Sequence, residues 1–187
     1  DRGNVIQESK LPSEFKRDAS SFELKKGFWV LTLGMLFRNL PILKNFPKES
    51  YKVVNGDIFL ISMLGNYGKF KYMNNVTPAV YRMHEGGVWS LKSDVFQIIE
   101  NLKTKTELAK YYQLKDPLVS RELFLDNWRI ADRFFIRNLK NDLGFKNMKK
   151  LLKISLFNHY KSERLHKSIF YLIKRSGRLI ISELVKK

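Results

Sequence analysis

The 187-residue sequence contains no cysteine and only three histidines. Without cysteine the chain forms neither disulfides nor thiolate metal sites, and such a chain suits a reducing or an oxidising compartment equally well. No apolar run approaches the roughly 18 residues that indicate a membrane-spanning helix, and the first ten residues, DRGNVIQESK, lack the apolar core of a signal peptide. These absences predict a protein that is soluble or peripheral to a membrane.

Acidic residues are also scarce, because 18 Asp and Glu stand against 35 Lys and Arg and give a net charge of +17. The excess is unevenly distributed: residues 1–100 carry a net charge of +4, and residues 101–187 carry +13. Hydrophobic residues make up 44% of the chain, which is enough to fill one core, or one core and a helical appendage. We therefore expect a folded protein with two regions of different character.

The first region has the pattern of short strands around one short helix. The apolar segment GFWVLTLGMLF at 27–37 is rich in aromatic and β-branched residues and predicts a buried strand. The segment NGDIFLISMLGNYGK at 55–69 predicts a short helix with Asp57 at its N-cap and Gly65 at its end. The segments KFKYM and TPAVYRM that follow predict two short strands separated by a polar turn.

The second region has the 3.6-residue period of amphipathic helices. One predicted helix starts after Ser93 with SDVFQIIENLKTKTELAKYYQL, and the next, DPLVSRELFLDNWRIADRFFIRNLKN, has Pro117 in its first turn. Two further segments, KNMKKLLKISLFNHY and KSERLHKSIFYLIKRSG, are apolar on one stripe and basic elsewhere. This part of the chain therefore predicts a row of basic helices.

The segment VYRMHEGGVWS at 80–90 places a histidine and an acid directly before a Gly-Gly pair. Two glycines leave the backbone free to approach a ligand closely, so this segment predicts a loop that closes on a bound group.

Three segments in order, FWVLTLGMLFRN, GDIFLISMLGNYGKFKYMN and AVYRMHEGGVWS, together resemble the C-terminal half of the catalytic domain in family 2 glycosyltransferases. These are inverting sugar-transfer enzymes of the GT-A fold, and the resemblance covers residues 27–113. It implies an α/β architecture in which residues 1–113 form the C-terminal, acceptor-side part of a Rossmann-like GT-A domain with a few short strands. A mainly helical, basic region would follow at 114–187.

The resemblance also implies roles for individual residues. Asp57 lies where the family has its general base, the carboxylate that takes a proton from the acceptor hydroxyl. His84 lies where many such enzymes have a histidine that holds a divalent metal, Mn²⁺ or Mg²⁺, or the donor diphosphate. Arg82, Gly86 and Gly87 would contact the phosphates of the nucleotide-sugar donor. The alternatives are that Asp57 only caps a helix, that Arg82 only pairs with an acid, and that His84 is an ordinary surface or core residue.

The chain departs from the family pattern in one respect. Family members hold the metal with an Asp-x-Asp element in a nucleotide-binding N-terminal half, and no Asp-x-Asp occurs in this sequence. No glycine-rich phosphate loop replaces it. We therefore expect these residues to be the C-terminal part of a longer enzyme, inactive alone, whose acceptor is a polysaccharide or a lipid-linked glycan.

The basic helical region has two interpretations. Lysines interleaved with aromatic and aliphatic residues suit a helix surface that lies on an anionic membrane, whereas packed helices with solvated basic faces would give the same composition. The expected location is the cytoplasm, with peripheral contact to the inner face of the cell membrane. An alternative function is a basic nucleic-acid- or membrane-binding module without catalysis. Nucleic acid is not an expected partner, because no helix-turn-helix, RNP or zinc-finger pattern occurs.

Overall fold

The computed structural model describes residues 11–77, 79–80, 89, 92–138 and 144–162. The chain divides into two compact units, Asp1–Ser93 and Asp94–Lys187. This division falls earlier in the chain than the predicted limit at residue 113, because the helix that follows Ser93 packs with the helices after it.

The described residues of the N-terminal unit include two α-helices, α1 at Ser21–Lys25 and α2 at Gly56–Leu64. Irregular backbone connects them, with single turns of 3₁₀ helix at Ser13–Phe15, Thr32–Gly34, Pro41–Lys44 and Ser50–Lys52. An isolated antiparallel bridge joins Ala19 to Phe70, whose backbone groups exchange hydrogen bonds of 3.1 and 2.9 Å. The unit is thus assembled from short pieces around α2.

The predicted α/β architecture is wrong, because the described part of the chain is helical and contains no β-strand or sheet. The segment 27–37, predicted to be a buried strand, is irregular backbone with a 3₁₀ turn at Thr32–Gly34. Its residues Leu33 and Leu36 are exposed, so its apolar composition does not reflect burial between neighbouring strands. The segment KFKYM makes only the bridge at Phe70, and no described neighbour extends that bridge into a ladder.

Local sequence explains α1 and α2. In α1 the Ser20 side chain accepts a hydrogen bond from the Glu23 backbone N–H, and the Glu23 carboxylate accepts one from the Ser20 N–H, which is a capping box. The helix α2 ends where predicted, at Leu64, and Gly65 follows as its C-cap. Gly65 is buried, and its lack of a side chain lets α1 approach α2 closely.

The described part of the C-terminal unit, residues 94–138 and 144–162, is a bundle of three long helices, α3 at Asp94–Tyr112, α4 at Pro117–Arg137 and α5 at Phe145–Ser162. The helix α4 packs on both α3 and α5, and α3 also contacts α5. Buried apolar side chains from all three helices form the core: Ile99, Leu102, Ala131, Phe135 and Leu151. These three predicted helices are confirmed, including Pro117 in the first turn of α4.

A buried polar network links the three helices of the bundle. The Asn127 side-chain amide nitrogen of α4 donates to Thr106 Oγ1 of α3 at 2.8 Å and to Asn158 Oδ1 of α5 at 3.2 Å. The Asn158 amide nitrogen donates to the same Thr106 hydroxyl at 3.1 Å. Because buried amides are costly without partners, this network favours one alignment of the helices over others.

The segment KSERLHKSIFYLIKRSG begins within α5, and its residues from 163 onward lie outside the described residues. None of the described helices is both long enough and apolar enough to cross a membrane.

Candidate active site

The first turn of α2 carries Asp57, the predicted general base. Gly56 is the first residue of the helix, and the buried Asn55 occupies the N-cap position. The prediction that Asp57 itself is the N-cap is therefore wrong, because the helix starts two residues earlier than that position requires and Asp57 is its second residue. Asp57 is exposed, and its carboxylate is accessible to a molecule in solution.

Two hydrogen bonds orient the Asp57 carboxylate. Thr32 Oγ1 donates to Asp57 Oδ2 at 3.0 Å, and the backbone N–H of Ile58 donates to Asp57 Oδ1 at 2.8 Å. The free N–H groups of a helix N-terminus also stabilise negative charge in the first turn. Each carboxylate oxygen has a second lone pair, so Asp57 retains the capacity to accept a further proton or hydrogen bond.

The helix that carries Asp57 is anchored to α1. The Ser62 hydroxyl of α2 donates to the Lys25 carbonyl at 2.6 Å, and the Ser21 hydroxyl of α1 donates to the Gly65 carbonyl at 2.6 Å. Phe59, Ile61 and Met63 are buried. The carboxylate therefore extends from an element whose own position is well determined by packing.

An aromatic cluster fixes the chain that leads to Thr32. The rings of Phe15 and Phe28 meet edge to face at a centroid separation of 5.2 Å, and Phe70 lies 6.3 Å from Phe28. The Arg17 guanidinium lies 5.0 Å from the centre of the Phe28 ring. Phe28 and Val30 are both buried, so the backbone directly before Thr32 is held in the small core of the unit.

Two other acidic side chains stabilise the N-terminal unit. Hydrogen bonds from the Arg17 guanidinium and from the Ser20 backbone and hydroxyl lower the pKa of Glu23 from its ordinary 4.5 to about 2. The Tyr72 backbone N–H, with a smaller contribution from Lys71, lowers the pKa of Asp18. Each of these carboxylates is paired with a cation, Glu23 with Arg17 and Asp18 with Lys71.

Arg82, His84, Gly86 and Gly87 lie outside the described residues, so their predicted contacts with metal and donor stay predictions. Within the described ranges no three His, Asp or Glu side chains come together as a metal-binding group. Asp57 is the one predicted site residue that the described part of the chain includes.

Nothing in the sequence marks Thr32 as a partner of Asp57. The two residues are 25 positions apart, and Thr32 lies in a segment that was predicted to be a buried strand. No spacing rule connects a threonine in an irregular segment to a distant helix start, so only the folded chain reveals this contact.

Comparison of the chain with known protein families, with curated proteins and with solved structures found no match.

Proposed function

We propose that this chain contributes the acceptor-activating part of an inverting glycosyltransferase, with Asp57 as the general base. The proposal is supported mainly by the Asp57 carboxylate, which is exposed at the start of α2 and oriented by a hydrogen bond from Thr32. The resemblance of residues 27–113 to family 2 glycosyltransferases supports the same role. The proposal rests on this site and on the sequence, and it assigns no β-sheet to the described residues.

In the proposed reaction, Asp57 takes the proton of an acceptor hydroxyl while the acceptor oxygen bonds to the anomeric carbon of the sugar. The bond between that carbon and the nucleotide diphosphate oxygen breaks, the bonding electrons leave with the diphosphate, and the configuration inverts. Thr32 acts as a positioning residue, because its hydroxyl holds one carboxylate oxygen and leaves the second lone pair of each oxygen available.

The donor side of the proposal rests on sequence alone. Arg82, His84, Gly86 and Gly87 would bind the diphosphate of a nucleotide-sugar, and a divalent metal, Mn²⁺ or Mg²⁺, would neutralise charge on that leaving group. The acceptor would be a polysaccharide or a lipid-linked glycan, and the enzyme would work in the cytoplasm.

The test uses the complete gene product and a panel of radiolabelled nucleotide-sugars, with transfer to membrane-extracted glycan as the readout. Asp57→Asn keeps the shape of the side chain but cannot accept the proton, so we expect transfer to fall by roughly 10²- to 10⁴-fold. Glu14→Gln, a change at another exposed acid of the same unit, should leave transfer unchanged. Equal activity of Asp57→Asn and wild type would remove Asp57 from the mechanism.

A second variant separates positioning from proton transfer. Thr32→Val removes the hydroxyl that holds Asp57 Oδ2 and leaves the carboxylate in place. We expect a loss of transfer smaller than that of Asp57→Asn, with the loss in kcat rather than in KM for the donor. An effect on the donor KM alone would instead place Thr32 in substrate binding.

A further inference from the structure

The exposed face of α5 is basic along its whole length. Five lysines of this 18-residue helix are exposed, and the helix contains no Asp or Glu. They are Lys146, Lys149, Lys150, Lys153 and Lys161. The first four follow the i, i+3, i+4, i+7 spacing that places side chains on one side of a helix, and Lys161 comes eight residues after Lys153.

The opposite side of α5 is engaged in the bundle. Leu151, Ser155 and Asn158 are fully buried, and Asn158 belongs to the polar network with α3 and α4. The lysines therefore cannot turn inward without breaking the bundle. From Lys146 to Lys161 they form a row about 22 Å long at 1.5 Å per residue.

Two aromatic side chains share this row. Tyr160 is 52% exposed, and Phe157 is half-buried beneath two ammonium groups, with Lys110 at 5.4 Å and Lys161 at 5.9 Å from its ring centre. Lys110 also bonds to Glu107 of its own helix, so its charge is partly offset. Aromatic rings beside lysines are suited to the boundary between water and lipid, because the ring can contact lipid while the polar group at its end stays in water.

We propose that the lysine face of α5, defined as Lys146, Lys149, Lys150, Lys153 and Lys161 with Phe157 and Tyr160, binds the surface of a bilayer that contains anionic phospholipids. The complementarity is electrostatic: an extended cationic row without acidic residues faces a plane of negative headgroups. The lysine ammonium is a compact, strongly hydrated charge, and it lacks the planar guanidinium group with which arginine makes two hydrogen bonds to one phosphate. The lysine face is therefore suited to long-range electrostatic attraction to the charged bilayer surface. This inference is independent of Asp57 and of sugar transfer.

The experiment is flotation of the full chain with vesicles of phosphatidylcholine, alone or mixed with phosphatidylglycerol. We expect binding only to the mixed vesicles, and we expect it to weaken as salt shortens the Debye length from about 10 Å at 0.1 M to about 3 Å at 1 M. Replacing Lys146, Lys149, Lys150 and Lys153 by Gln should lower the partition coefficient at least about tenfold.

Two matched variants control for charge and for folding. In the first variant, Gln replaces four exposed lysines of the N-terminal unit: Lys16, Lys44, Lys48 and Lys69. This variant loses the same amount of charge outside α5 and should bind the mixed vesicles like wild type. Arg at the four α5 positions keeps the charge and should also retain binding. The proposal would be overturned if both Gln variants lost vesicle binding equally, or if the chain bound neutral vesicles as well as the mixed ones. Binding to single-stranded RNA that depends on the α5 lysines and is tighter than binding to the mixed vesicles would also overturn it.

Discussion

The two units differ in how completely they bury their apolar side chains. Among the described residues, eleven large hydrophobic side chains of the N-terminal unit are exposed, and only five of the C-terminal unit. Leu36 is fully exposed, and Tyr51 is 79% exposed. In the bundle, by contrast, Tyr112, Leu108 and Val119 are fully buried.

This difference follows from the elements available to each unit. Long amphipathic helices bury a continuous stripe against one another, so three of them suffice for a closed core. The helices α1 and α2 have only five and nine residues, and the small core of the N-terminal unit combines their side chains with Phe28 and Val30 of the irregular backbone. The same irregular backbone brings Thr32 to Asp57, so the unit with more exposed apolar side chains is the one that carries the proposed chemistry.

The largest predicted effect on stability is in the bundle core. Phe135→Ala removes a ring that is 3% exposed and should destabilise the C-terminal unit by about 3–5 kcal/mol. Ile136→Ala, at the neighbouring 41% exposed position, should cost less than about 1 kcal/mol. Hydrogen exchange resolved by mass spectrometry would follow both units separately. We expect Phe135→Ala to speed hydrogen exchange in the bundle alone. If exchange also became equally faster in residues 13–70, the two units would unfold together.

A smaller effect is expected where α1 meets α2. A methyl group at Gly65 would lie 2.9 Å from both Leu24 Cβ and the Lys25 backbone nitrogen, so Gly65→Ala should destabilise the N-terminal unit by about 1–3 kcal/mol. Gly56→Ala is the matched control, because nothing lies within 4 Å of a methyl group there. It should be neutral or stabilising. Urea titration of both variants measures the difference, and equal stabilities would mean that α1 and α2 do not pack as described.

Loss of the N-cap of α1 should lower the free energy of unfolding by less than Gly65→Ala does. Ser20→Ala removes the hydroxyl that accepts from the Glu23 N–H at 3.2 Å, and we expect a loss of about 1 kcal/mol. Ser20→Gly should cost only a few tenths of that amount. A Ser20→Ala variant as stable as wild type in urea would show that this short helix does not depend on its capping box.

The smallest effect is a pH dependence of the N-terminal unit. The pKa of Glu23 is lowered from 4.5 to about 2 in the fold, so the carboxylate stabilises the folded unit above pH 4.5. That contribution is lost as pH falls from 4.5 towards 2, because the unfolded chain then binds the proton more readily. Its pairing with Arg17 is partly exposed, which limits the effect to below about 1 kcal/mol. Glu23→Gln should flatten this part of the stability profile, and an unchanged acid slope would contradict the assignment.

The sequence predicted an element of secondary structure correctly where the residues that determine it lie within that element. Helical periodicity and Pro117 located α3, α4 and α5 because each signal lies within its own helix. The same holds for the end of α2 at Gly65. The segment 27–37 was misread as a strand because aromatic and β-branched composition favours strands only where a neighbouring strand completes the hydrogen bonds.

The candidate site was predictable in part for the same reason. Asp57 was found from its own segment, whereas its contact with Thr32 depends on Phe28 and Val30 being buried in the N-terminal core. The lysine face of α5 was anticipated as a basic helix. Which side of it stays exposed is decided by Leu151 and Asn158, which pack against the other two helices.

The role of Asp57 as general base is tested by the single-turnover rate of sugar transfer by Asp57→Asn in the complete gene product, measured beside its dissociation constant for the donor. We expect a rate at least roughly 100-fold below wild type with an unchanged donor dissociation constant, because only proton removal from the acceptor is lost. A wild-type rate in Asp57→Asn would contradict the assignment of Asp57 as the general base.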